Sequence, residues 1–496
     1  MKGTHLGLRR MLRVVCLSLS ILGLIQSGAS TQSIAQPEQM VAVIGGTLID
    51  GNGGPPIPDS VVLIKGNKIA QIGTKATAKF PKATKIVDAT GKFVLPGLID
   101  MHVHYHDWMG ELFLANGVTT VKDLGNDLQW IADVSAAVEQ GRIRGPRIFY
   151  VGDGLDTPPP ARETHVAVEN ETQAKRAVDL LHGKGASAIK VREKITPELL
   201  KAIIEEAHKL GIPVTGHLRS VDAREAADAG IDGLEHASGI VQALTDYPRR
   251  LTSTPNELQM FINDIKSFSK IDPVKAEQLA KYLAGKKVAL IPTMSSWWRM
   301  ATERRDDFAR EDAEYSRNPQ LAYVPDDVKK MWATSIVYKL KSADDLAEMR
   351  VGYKKIQDLL KAFYKAGGKI VAGSDTFLSV PGLSLQREMM FLVDAGFTPM
   401  QAITIATRDN AEFLGKGREL GTIKPGKRAD MIVVSANPLD DIRNAQRVTA
   451  VLKDGQVIDI SYHPNYSIPI PTPTITRPVW LERELDRLEK SKSANR

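Results

Sequence analysis

The chain has 496 residues and a single cysteine, Cys16. No disulfide can form within it, and no set of thiolates can hold a metal. It also lacks a continuous apolar run of the roughly 20 residues that a spanning helix needs. No glycine-rich turn joins a predicted strand to a helix; Gly51-Asn52-Gly53 precedes no helix, so a dinucleotide-phosphate loop is excluded. Basic runs interleaved with aromatics are missing, as are helix-turn-helix and zinc-finger spacings, so no nucleic-acid partner is expected. Acids are absent from residues 1–30, which hold Lys2, Arg9, Arg10 and Arg13, four of the seven excess positive charges. That basic start precedes a short apolar stretch, Val14 to Ile25, and small residues at Gly28-Ala29-Ser30 and Ser33-Ile34-Ala35. The pattern is that of a secretory signal peptide over 1–35. The expected mature chain begins between Ser30 and Pro37, carries no cysteine and no stable membrane anchor, and is periplasmic or secreted.

What is present is ordinary for a large globular protein: 43% hydrophobic and 25% charged residues. Residues 36–94 read as short β-branched strands and turns, among them Val41–Ile44, Val61–Ile64 and Ile69–Ile72. The same texture returns over 417–462, with a strand at Asp430–Val434 and a hairpin around Asp454-Gly455. The two pieces are expected to form one small composite β-sandwich domain from both ends of the chain. Between them, over 95–416, strands alternate with amphipathic helices. Thr196 reads as an N-cap with Pro197 at the first helical position, and Leu199, Leu200, Ile203, Ile204 and Ala207 form the apolar stripe. Eight strands are predicted: Leu98–His104, Val118–Leu124, Arg147–Val151, Ala188–Val191, Val214–Leu218, Gly233–Ala237, Val288–Thr293 and Ile370–Asp375. The fold class expected is α/β, a (β/α)8 TIM barrel, with an open doubly wound sheet as the alternative.

An insertion at about 295–345 follows the seventh strand. It includes Trp297, Trp298, Tyr315, Tyr323 and Trp332. Loops after barrel strands lie on the catalytic face, so Trp297 and Trp298 are candidates for a substrate wall; a helical hairpin with its own core is the competing reading. Residues 463–496 read as a Pro-rich linker and a charged helical tail, Trp480 to Ser491, a packing or homo-oligomer element.

The chemistry concentrates at strand ends. Asp100, His102 and His104 alternate along the first strand and share a face. His217 and His236 end two later strands, and Asp375 ends the last. Lys190 sits on the fourth strand between Ile189 and Val191, a costly place for an unpaired ammonium. In a barrel these ends converge on one face, which makes a metal site. His106 and His165 follow strands on that face and are candidate substrate contacts. His182 and His208 sit near helix C-termini, where they complement the macrodipole.

With these residues in view, the chain resembles the amidohydrolase superfamily, in the branch of imidazolonepropionase-like and Xaa-Pro dipeptidase-like proteins, over roughly 40–460. The resemblance rests on Leu95-Pro96-Gly97-Leu98-Ile99-Asp100-Met101-His102-Val103-His104, Gly117-Val118-Thr119-Thr120-Val121, Lys190, His217, His236, Asp375 and Gly421-Thr422-Ile423-Lys424-Pro425-Gly426-Lys427-Arg428-Ala429-Asp430. It implies a metal-dependent hydrolase with two divalent ions, zinc in the leading reading, bridged by a carboxylated Lys190. His102, His104 and Asp375 would hold the more buried ion, and His217 and His236 the other. Asp375 would serve as general base and then acid. The implied substrate is a small-molecule amide, a dipeptide or N-acyl amino acid; cyclic amides, esters and organophosphates are the alternatives, and a mononuclear, imidazolonepropionase-like centre and a lapsed binding protein are others. One departure stands out. Dipeptidase-like members often carry a Gly-rich loop after the lysine strand, where this chain has Arg192-Glu193-Lys194-Ile195-Thr196-Pro197 leading into a helix. Arg192 there is a candidate for gripping a substrate carboxylate.

Overall fold

The computed structural model describes residues 40–160, 165–249, 257–334, 342–376, 379–473 and residues 481, 484, 485, 487 and 490. The expected signal peptide lies outside these residues, as do residues 474–478 of the Pro-rich linker and much of the Trp480–Ser491 tail.

The fold is mixed α/β with parallel strands at its centre. Seven of the eight expected central strands form, each trimmed by one to three residues. Leu98–Val103, Val118–Asp123 and Arg147–Tyr150 make a three-stranded parallel sheet. Ile189–Val191, Val214–Gly216, Gly233–Glu235 and Ala289–Ile291 continue in parallel. Two short strands absent from the sequence reading, Gly154–Asp156 and His165–Ala167, extend that second sheet to six. The two sheets are linked where Ser187 N donates to Tyr150 O at 2.8 Å.

The eighth expected strand, Ile370–Asp375, is corrected. It makes no ladder and pairs by single bridges, Leu290 with Ile370 and Val103 with Thr376. Backbone bonds persist at Val371 N to Leu290 O and Asp375 N to His102 O, while side chains take the amides between: Asp100 accepts from Ser374 N at 2.9 Å and from Ser374 Oγ at 2.6 Å, and Asn410 Oδ1 accepts from Ala372 N at 2.9 Å. Gly373 permits the close approach, since a Cβ there would lie 2.6 Å from His102 Cβ.

The helices close over these strands as their sequences dictate. Thr196 caps Pro197–Lys209 by accepting from Leu199 N, and the predicted stripe is buried. Asp222 and Glu225 form a capping box at the start of Ala223–Ala229.

Residues from both ends of the chain share one eight-stranded sheet. Met431–Val434 pairs with Phe93–Pro96, which runs parallel to Met40–Leu48. Val41, Val43, Val62, Ile64, Met431, Val433 and Leu452 form its core. The insertion is helical, with Arg305–Arg317 and Asp326–Ala333 followed by the long Ala343–Lys365. Its anchors are buried charges: Asp312 takes hydrogen bonds from Arg387 at 2.7 Å and Arg299 at 3.3 Å. Trp332 packs edge-on against Trp108 at 5.8 Å.

Candidate metal centre and active site

The first strand delivers His102 and His104 to one point, and the 370–376 segment delivers Asp375 to the same point. Ligand atoms of all three lie within 4.8 Å of one another. His102 Nε2 is 3.3 Å and His104 Nε2 3.4 Å from Asp375 Oδ1. The His236 ring lies 4.7 Å from His102 and 4.5 Å from His217, and His236 Nδ1 is 3.9 Å from Asp375 Oδ2, so the imidazoles form a contiguous group that reaches the carboxylate. Every strand-end residue singled out in the sequence therefore converges, Lys190 included. Its partner is a residue that the sequence reading missed: Glu235, whose Oε1 is 3.5 Å from Lys190 Nζ. Glu235 Oε2 is 2.6 Å from His102 Nδ1. The clue was available, because a buried lysine needs a counter-charge and Glu235 ends an otherwise apolar strand.

Strand alternation from Glu235 would turn His236 outward. Left-handed backbone at His236 (φ 58°) and Ala237 (φ 52°) turns it inward. Thr293 (φ 47°) and Asp375 (φ 51°) are held the same way, so four of the seven non-glycine residues with positive φ among the described residues gather here. Each such residue costs on the order of 1–3 kcal/mol, and strain of this kind clusters at functional sites.

The electrostatics fit a cation. In the geometry that joins His102 Nδ1 to Glu235, Nδ1 donates and Nε2 presents a lone pair. In that form the buried Nε2 faces Asp375 Oδ1 at 3.3 Å with no hydrogen between them. A second proton or a metal cation relieves the opposition. Burial holds His104 down to about 4, so its ring is neutral and able to ligate. Burial pushes Asp375 up, but the neighbouring imidazoles outweigh it and keep the carboxyl well below its usual range. Burial likewise lowers Lys190 to about 8, against the pull of Glu235. Two imidazoles and a carboxylate converging on one point, with two more imidazoles adjacent, match the donors that divalent zinc-like ions take.

The remaining candidates divide. His165 joins Asp156 and Glu193 in a second buried cluster within 4.8 Å, and His217 Nδ1 is 3.4 Å from Glu193 Oε1. Arg192 pairs with Glu193, its Nε 3.4 Å from Oε2. His106 stacks on Trp108 at 6.0 Å. Trp297 and Trp298 line a cavity of about 50 Å³ that reaches His217 and His236, and Leu218, Val241, Ile265 and Phe268 contribute to its apolar wall. Both tryptophans are also buried, and Trp298 packs edge-on against Phe268 at 5.1 Å, so wall and core are the same residues.

Residues 93–458 match the amidohydrolase family. The chain belongs to the amidohydrolase family. Among curated members, it is 24% identical to ochratoxinase from Aspergillus niger over 459 residues, covering 84% of this chain and 86% of that protein. It is 22% identical to imidazolonepropionase from Acinetobacter baumannii over 401 residues, covering 76% and 87%. Among solved structures, a Xaa-Pro dipeptidase with methionine bound in its active site superposes with a TM-score of 0.60 at 22% identity, covering 85% of this amidohydrolase and 100% of that chain. The fold is shared with these proteins, and the chain is a hydrolase of their family.

Proposed function

We propose that this amidohydrolase is an exported, metal-dependent enzyme that cleaves the C–N amide bond of a small molecule with an apolar arm, a dipeptide or N-acyl amino acid. The observation that carries the reading is the convergence of His102, His104 and Asp375, with His102 Nε2 3.3 Å from Asp375 Oδ1. Support for the substrate comes from the apolar cavity beside His217 and His236, and from relatives named ochratoxinase and Xaa-Pro dipeptidase. The proposed architecture is a closed (β/α)8 barrel with a composite β-sandwich.

His102, His104 and Asp375 would hold one divalent ion, and His217 and His236 a second. Ions bound there supply a hydroxide at neutral pH and polarise the scissile carbonyl. The chain's own groups do the rest. Glu235 accepts from His102 Nδ1 and so aims Nε2 at the site, the usual device for orienting a ligating imidazole. Lys190, with its amine held down to about 8, has an appreciable neutral fraction near neutral pH. A neutral amine adds carbon dioxide to give a carbamate and a proton, and the carboxylate of a carboxylated Lys190 would add an anionic donor for the ions. Ser296 Oγ donates to Asp375 Oδ2 at 3.0 Å and restrains the carboxylate. Asp375 would then take the proton of the attacking hydroxide and pass it to the leaving nitrogen. Trp297, Trp298 and Phe268 keep bulk water from the cavity wall.

The test is a panel of dipeptides, N-acyl amino acids, lactams and aryl esters on zinc-loaded protein. Dipeptides or N-acyl amino acids are expected to lead, and Asp375→Asn to lower kcat by about 10²-fold or more. Faster turnover of lactams or aryl esters rejects the substrate reading. An Asp375→Asn variant within about tenfold of wild type rejects the proton shuttle.

A further inference from the structure

We infer that Thr293 is a positioning residue that fixes the tautomer of His236; the inference rests on the metal-centre reading above. Thr293 follows the strand Ala289–Ile291 and Pro292, and it is buried. It is held at φ 47°, a conformation that β-branched residues avoid, so the surroundings impose it. The turn it begins is pinned twice: Ser296 N donates to Thr293 O at 3.1 Å, and Ser295 N donates to Glu388 Oε2 at 2.7 Å.

The hydroxyl's position has a consequence for His236. A threonine hydroxyl carries one proton. Thr293 Oγ1 donates it to the Pro292 carbonyl at 2.8 Å. The same oxygen lies 2.7 Å from His236 Nδ1. With its proton committed, Oγ1 can only accept, so the hydrogen of that contact sits on Nδ1. Asp375 Oδ2, 3.9 Å from Nδ1, favours a hydrogen at the same atom. Nε2 is left as the lone pair of the ring. His102 is arranged alike, with Glu235 in the place of Thr293. Two imidazoles from different strands thus present Nε2, each fixed by an acceptor on another residue. The backbone supports the arrangement, since His236 N donates to Ile291 O at 2.7 Å, two residues before Thr293.

The experiment compares wild type, Thr293→Val and Thr293→Ser. Valine keeps the shape and β-branching without the acceptor; serine keeps the acceptor. Zinc affinity is measured by competition with a chromophoric chelator, and the tautomer of His236 is read from ¹⁵N shifts in histidine-labelled, metal-free protein. Thr293→Val is expected to weaken zinc binding by about 10–100-fold, the usual cost of losing such a partner, while Thr293→Ser stays close to wild type. Metal-free wild type is expected to protonate His236 at Nδ1. Zinc binding by Thr293→Val as tight as that of wild type overturns the inference, as does a hydrogen on Nε2 in metal-free wild type. A wild type that takes up no zinc but protonates Nδ1 overturns the metal reading and leaves the Thr293 contact supported. If Thr293→Val fails to fold, the wild-type ¹⁵N shifts still decide.

Discussion

Glu388 offers a stability test that needs no substrate. It lies on the helix Leu383–Asp394, fully buried, and anchors the Thr293–Ser296 turn through Ser295 N. Burial raises its carboxyl from 4.5 to about 8, with the hydrogen bonds from Ser295 and Met294 offsetting part of the rise. The folded protein therefore keeps this proton to about pH 8, whereas the unfolded chain releases it near 4.5. The native state binds more protons in that window, so this group makes stability fall as pH rises through it. Each unit of difference is worth about 1.4 kcal/mol, giving a ceiling of about 5 kcal/mol across the window and about 4 kcal/mol between pH 5 and pH 8. Glu388→Gln keeps an oxygen to accept from Ser295 N and removes the titration. The expected result is a variant whose melting temperature matches wild type near pH 5 and exceeds it increasingly towards pH 8. At roughly 1–2 °C per kcal/mol for a chain of this size, the gap at pH 8 is about 4–8 °C. Titrating groups that do not interact with Glu388 cancel in the difference. Parallel melting curves for the two proteins from pH 5 to 8 would refute the reasoning, because they would mean that Glu388 ionises freely in the fold.

Three further outcomes are expected. Purified protein should bind close to two divalent ions per chain by elemental analysis, and Lys190→Ala should lose most of its metal and activity; saturation at one ion with activity kept would favour the mononuclear alternative. Asp312→Ala removes the buried carboxylate that Arg299 and Arg387 share, leaves Arg387 its pair with Glu311, and should cost about 3 kcal/mol, seen as a lower melting temperature and earlier proteolysis of the insertion. Trp298→Ala should cost about 3–5 kcal/mol by opening a cavity against Phe268 and Tyr353, and should raise KM for bulky substrates; unchanged stability would show that the tryptophan is a movable lid.

Most of the site was legible in the chain because its parts obey local rules. A strand's two-residue period puts His102 and His104 on one face, and a lysine between Ile189 and Val191 signals a buried charge. Alternating strands and capped helices identify the α/β class, since each cap and each apolar stripe is a short-range pattern. Thr196 and its helix formed as read. Only tertiary structure could decide how these parts meet. Glu235 acquires its meaning from Lys190 and His102, which lie 45 and 133 residues away in sequence, and no periodicity links them. The left-handed turns at His236, Thr293 and Asp375 are imposed by packing against the preference of each residue, so propensity points the wrong way there. The 370–376 segment makes only an interrupted set of backbone bonds because Asn410 and Asp100 side chains take the amide hydrogens of Ala372 and Ser374, a substitution that a hydrophobic pattern cannot register. The sequence by itself determined which polar groups stand at the strand ends of the candidate site; the fold decided which atom of each group faces its neighbours, because lone pairs and protons are set by residues distant along the chain.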